Sequence, residues 1–146
     1  MTPRSKRMQP VAGIADEREQ EAARHYGESQ RALAEQENRL RELIAYREEY
    51  VRNLQARSFQ GMRVGNMNDY RRFIRQLEHN IRLQEQQVAA FREACEHRRR
   101  LWMETRTHAR AIDKAIHRFR QQENRLRDKR EQAETDEFAS RYVKPF

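Results

Sequence analysis

The chain has 146 residues, 37% of them charged and 36% hydrophobic, with a net charge of +8. So polar a composition, with only four Gly and three Pro, is too poor in apolar residues for an ordinary globular core and reads as long helix. The single cysteine, Cys95, excludes an internal disulfide framework and a Cys-rich metal site and fits a reducing cytosol; without an apolar run of roughly 18 residues or a signal-peptide core, neither a membrane span nor signal-led secretion is expected.

Pro10 is tolerated in the first turn of a helix but not in its interior, so the first helix is expected to start near residue 10 and to end near residue 58. Along it Tyr26, Leu33, Leu40 and Leu54 share one heptad position, while Leu43 and Tyr50 stand on the companion position. Residues 59–66 form the turn. Gly61 and Gly65 break helix there, and Asn66 is placed to cap the next one, with Asp69 three residues on.

The second helix is expected over about residues 67–140. Met67, Ile74, Ile81, Val88, Cys95, Trp102, Ala109 and Ile116 recur every seven residues without an insertion. Tyr70, Leu77, Gln84, Phe91, Arg98, Thr105, Ile112, Phe119 and Leu126 follow three behind. A heptad so sustained must lay its stripe against another helix, and a short link makes that neighbour the first helix, running antiparallel. The expected fold is all-α: a single domain formed by a long antiparallel two-helix coiled-coil hairpin, with the second helix longer than the first and both termini loose.

If facing residue numbers sum to about 124, Tyr50 meets Ile74, Leu43 meets Ile81 and Leu33 lies by Phe91, while the small Ala22 faces the large Trp102. The expected core is therefore Leu33, Leu40, Leu43, Tyr50, Ile74, Ile81, Val88, Phe91 and Trp102. Glu19, Gln36, Arg47, Gln84, Arg98 and Thr105 interrupt the stripe; unless partnered they must stay near the surface or snorkel outward.

Unequal helices leave an expected overhang of roughly 40 Å at 1.5 Å per residue. Ile116, Phe119 and Leu126 would stand on it with little intramolecular cover, save what the N-terminal tail supplies through Met8. The overhang also carries the charge. From Arg98 to Arg130 there are twelve Arg or Lys against four acids, which equals the net charge of the whole chain. Arg110, Lys114, Arg118, Phe119, Arg125, Leu126 and Arg127 thus form a basic, partly apolar surface suited to an acidic partner.

Nothing in the pattern points to chemistry. The five histidines include no pair three or four apart, Cys95 and His97 point to different sides, and no Gly-rich phosphate loop or nucleophile elbow occurs. No catalytic, cofactor or metal residue is assigned, no small-molecule substrate is expected, and the chain does not read as an enzyme. The Arg98-Arg99-Arg100 run could meet nucleic acid, but a basic zipper needs a parallel dimer with the basic helix leading into the heptads, so that reading is disfavoured.

Four segments carry a family resemblance. Ala22-Ala-Arg-His-Tyr-Gly-Glu28, Leu43-Ile-Ala-Tyr-Arg-Glu-Glu-Tyr-Val-Arg-Asn-Leu54, Tyr70-Arg-Arg-Phe-Ile-Arg-Gln-Leu-Glu78 and Asp136-Glu-Phe-Ala139 stand in order at consistent spacing. Together they resemble the FliJ family of flagellar export proteins, over about residues 8–142. The resemblance implies a cytoplasmic protein, peripherally associated with the inner-membrane export apparatus. It would dock like the central stalk of a rotary ATPase into the hexameric flagellar export ATPase, promote its activity, and reach the cytoplasmic linker of the large membrane subunit of the export gate. It also implies escort of export chaperones. By resemblance the gate face holds Phe73 and Leu77, with Asn80 and Gln84 on the same face but differing in residue type. Beside Ile74, Phe73 has a plainer reading as flanking packing, and Leu77 is itself a core position. The basic overhang would enter the ATPase ring. The rivals are the equivalent stalk of a virulence-type secretion system and a basic coiled coil that binds nucleic acid.

Overall fold

The first helix begins earlier than its proline allows. In the computed structural model, which describes residues 2–142, α1 runs from Arg4 to Phe59 and α2 from Val64 to Tyr142. The two pack against each other as an all-α antiparallel coiled-coil hairpin, 56 residues against 79. The Pro3 carbonyl accepts the Arg7 N–H at 3.1 Å, so helical bonding is under way well before Pro10, which lies inside α1. The start expected near residue 10 is corrected accordingly. Pro10 has no N–H for the Lys6 carbonyl, a loss worth roughly 3 kcal/mol in an isolated helix, and the packing of Met8, Ala12 and Ala15 against α2 offsets it. The loose N-terminus expected before residue 10 is helix from Arg4. The C-terminal end, residues 143–146, lies outside the described residues.

The turn is also tighter than expected. Gln60 N–H bonds to the Arg57 carbonyl at 3.1 Å and Gly61 N–H to the Ser58 carbonyl at 3.3 Å, while Gly61 takes φ 82°, the left-handed conformation that glycine adopts without strain. One such residue reverses the chain. Gly65 and Asn66 are drawn into α2, and the first helical acceptor is the Arg63 carbonyl, bonded to Met67 N–H at 3.1 Å. Asn66 is therefore not the cap. An exposed helical glycine costs only about 1 kcal/mol, so Gly65 does not stop a helix whose stripe is already paired.

By packing, the chain divides into two compact units, one of residues 23–101 and one joining the residues up to Ala22 with those from Trp102. In the unit of residues 23–101, α2 buries Ile74, Leu77, Ile81, Val88 and Cys95, at the a and d spacing of the heptad. Leu33, Leu40, Leu43, Tyr50 and Phe91 are half-buried, because a two-helix seam has no third layer to cover its flanks. Of the interrupting polar residues, Gln36 and Gln84 turn to each other, Arg47 is partnered near the surface, and Arg98 is exposed. Gln84 Nε2 donates to the Gln36 side-chain and backbone oxygens at 2.8 and 3.0 Å, and Arg47 Nε reaches Glu78 Oε1 at 3.2 Å. Tyr50 stacks on Phe73 with ring centroids 4.5 Å apart, next to the Ile74 that the expected register set opposite it.

In the other unit, Ala12 and Ala15 meet Ala109, Ile112 and Ile116, with Met8 packed beside them. Small residues on α1 bring its backbone close to the larger side chains of α2. At the edge, the Glu123 carboxylate accepts the Ser5 N–H at 3.1 Å and the Ser5 hydroxyl at 2.7 Å. Ser5 N–H belongs to the first turn of α1, where no intrahelical acceptor exists. Glu123 on α2 thus caps α1. Trp102 is half-buried, with the Arg106 guanidinium 5.4 Å from its ring centroid.

Candidate functional site

Two surfaces hold the residues singled out from the sequence. The first lies in the unit of residues 23–101. Phe73 is 40% exposed and propped from α1: Tyr50 lies against it, and Tyr46, 47% exposed, meets it edge-on at 6.5 Å. Tyr50 continues the cluster to Tyr70 at 5.9 Å, over which Arg57 sits at 5.3 Å. Hydrogen bonding to Tyr46 is the main cause that holds the Tyr50 phenol above its usual pKa. Leu77, by contrast, is 5% exposed and belongs to the seam. Asn80 and Gln84 are half-buried and line an open groove of about 540 Å³ with Leu43, Leu83, Gln86, Gln87 and Ala90. The four residues assigned to the gate therefore divide: Phe73 offers an apolar face, Asn80 offers an amide, Gln84 spends its amide N–H groups on Gln36, and Leu77 supports from beneath.

Tyr46 and Leu83, both substantially exposed, belong to this surface and were not among the residues singled out. Tyr46 stands four before Tyr50, which puts the two on one helix face. Leu83 is an apolar residue just off the heptad stripe; that displacement is the signal by which it could have been found.

The second surface is the basic part of α2. Arg110, Lys114 and Arg118 are exposed, and the last two line a shallow depression with Asp113 and His117. Ile116 is buried at 5%, which corrects its expected place on a bare overhang. Phe119 is half-buried beneath the Arg4 guanidinium, 5.5 Å from its ring centroid. The reason is the early start of α1, whose added turns cover both residues. The uncovered stretch starts only after Glu123: every described residue from Asn124 to Tyr142 is exposed. It carries Arg125, Leu126 (59% exposed) and Arg127, and further on Phe138 and Tyr142, whose rings stack at 4.5 Å.

Electrostatics qualify the arginine run. Glu96 binds Arg99 at 2.7 and 2.9 Å and lies 3.4 Å from Arg100, and hydrogen bonding to Arg99 is the main reason its carboxyl titrates below the usual range. Two of the three guanidiniums at 98–100 are thus engaged by one carboxylate within their own helix, which reduces what the run offers to a phosphate backbone.

Among the described residues, no three His, Cys, Asp or Glu side chains converge as metal ligands. Cys95 is buried. No described helix is long and apolar enough to cross a membrane.

Comparison with known proteins places the chain in a family. No curated protein and no solved structure matches the chain. The sequence profile of the flagellar FliJ protein family matches residues 4–144. With nearly its whole length matched, the chain belongs to the FliJ family and is a component of the flagellar export apparatus.

Proposed function

We propose that this chain is a non-enzymatic stalk and adaptor of flagellar type III export, which docks into the hexameric export ATPase, promotes its activity and links it to the membrane export gate. The observation that carries the reading is the family match over residues 4–144 on a chain whose positive charge is concentrated in α2. An acidic ring interior is the electrostatic complement of exposed Arg110, Lys114, Arg118, Arg125 and Arg127, with Leu126 and the rim of Phe119 as apolar contacts. The Phe73 platform, backed by Leu77 and extended by Asn80 and Gln84, meets the cytoplasmic linker of the gate's large subunit. Escort of unloaded export chaperones and peripheral association with the cytoplasmic side of the membrane belong to the same reading.

Reconstitution tests it. Purified chain added to the purified export ATPase should raise ATP hydrolysis, with a dependence on ionic strength that follows the basic segment. Unchanged hydrolysis, together with tight and steeply salt-dependent binding to duplex DNA, would replace this reading with a nucleic-acid one.

A further inference from the structure

The exposed end of α2 has a charge pattern of which the stalk reading uses only the basic half. Arg125, Arg127, Lys129 and Arg130 are followed at once by Glu131, Glu134, Asp136 and Glu137. The helix continues through both blocks to Tyr142 with all of these residues exposed. Among the described residues, the only ion pair within this stretch is Glu137 with Arg141, at 3.1 Å. The heptad also continues. From Ile116 it passes to Glu123, Arg130 and Glu137, and from Phe119 to Leu126, Ala133 and Ser140. These positions face α1 as far as Glu123 and face solvent beyond it.

We propose that residues 124–139 pair antiparallel with the same segment of a second copy of this chain. In an antiparallel coiled coil the two stripe series face each other, and the flanking positions pair with their own kind across the seam. Applied to this heptad, Arg130 lies beside Ala133 of the second copy and Leu126 beside its Glu137. The flanking residues then match in sign. Arg127 meets Glu134 of the other copy, Lys129 meets its Asp136, and twofold symmetry repeats each pair.

Alternative alignments fail on charge. A slip of one heptad in either direction sets Arg127 against Arg127 or Glu134 against Glu134. A parallel pair stacks Arg130 on Arg130 and Glu137 on Glu137 in the seam itself. In the matched register the like pair is Arg120 with Arg141 at the ends; within their own chain these have Glu123 and Glu137 as neighbours.

In this register residues 124–139 of the two copies face each other, a paired length of about 24 Å at 1.5 Å per residue, and the seam holds only Leu126 and Ala133 as apolar residues. Such an interface is weak, reversible and salt-sensitive. It occupies Leu126 and Arg127, so self-pairing and engagement of an acidic partner by this segment exclude each other.

Sedimentation velocity of the full chain reads the pairing without the ATPase, so failure of this inference and failure of the stalk reading are distinguishable. At low ionic strength the chain should show a concentration-dependent monomer–dimer equilibrium that shifts to monomer in high salt. Arg127→Glu with Lys129→Glu, or Glu134→Arg with Asp136→Lys, should each weaken dimerisation about tenfold or more by turning four attractive pairs repulsive. Mixing the two variants, or combining all four changes in one chain, should restore it, with helicity by circular dichroism unchanged throughout. A wild-type chain that stays monomeric at all concentrations overturns the proposal. So does dimerisation indifferent to the reversals, or a mixture that fails to recover.

Discussion

Ser5 and Glu123 stand 118 positions apart in sequence and share two hydrogen bonds, one through the Ser5 N–H and one through its hydroxyl. The carboxylate thereby satisfies a first-turn donor of α1, and its negative charge sits at the positive end of that helix. Met8, Pro10 and the alanine contacts come within the next turns, so this is the fastening beyond which α2 continues uncovered.

The fastening is acid-sensitive. Hydrogen bonds from the Ser5 side chain, then its backbone, hold the Glu123 carboxyl below its usual value of 4.5. A carboxyl with a depressed folded pKa contributes stability above its unfolded pKa and loses it as pH falls through the folded value. Glu123→Gln should therefore lower the melting temperature and speed amide exchange over residues 4–15 at neutral pH. Its difference from wild type in melting temperature should vanish once pH falls below the depressed value. A difference that persists in strong acid would show that the carboxylate charge is not the cause.

Phe73 and Leu77, neighbours on α2, should separate binding from stability. Leu77 is 5% exposed and Phe73 40%. Leu77→Ala should cost about 2–5 kcal/mol by urea denaturation, as buried truncations do. Phe73→Ala forfeits chiefly its ring contacts with Tyr50 and Tyr46, about 0.5–1.5 kcal/mol, yet should impair binding to the gate's cytoplasmic linker. If the Phe73 variant melts as early as the Leu77 one, packing explains the residue and the gate assignment fails.

Gln36 and Gln84 should behave as a pair. Changing Gln84 alone to Leu strands the Gln36 amide in the seam, at a cost of about 1–3 kcal/mol. Changing both to Leu should leave stability equal to or above wild type, since apolar replacements need no partner. A double-mutant cycle by chemical denaturation measures the coupling, and additive losses would mean the hydrogen bonds do not matter.

Reversing Arg118, Arg125 and Arg127 to Glu tests the basic surface. All three are exposed, so helicity and melting should change little, about 0.5 kcal/mol or less for each site. Stimulation of the export ATPase should fall severalfold or more and become less dependent on salt. Stimulation equal to wild type would remove the segment from the mechanism.

Several local rules were overruled by packing. Read alone, Pro10 marks a helix start and Gly65 with Asn66 marks another, yet both lie inside helices. A proline or glycine penalty of one to about three kcal/mol is smaller than the gain from laying several more turns of stripe against a partner. Ile116 illustrates the consequence. Its heptad position correctly marks it for burial, but whether anything arrives to bury it depended on where α1 begins. The candidate gate face shows the same division: Phe73 was legible in its motif, whereas the support from Tyr46 and Tyr50 needed the other helix in place.

Heptad spacing, the short Gly-containing link and the distribution of charge are local properties of the chain, and they were enough to determine two helices, their antiparallel pairing, the residues of the stripe and the basic character of α2. Which residues are covered is a relation between segments more than a hundred positions apart. Only the tertiary structure decided that α1 reaches Glu123, that Gln36 finds Gln84, and that the uncovered helix begins at Asn124. Free energies that close such long-range contacts are summed over both helices, and no single stretch of sequence contains them.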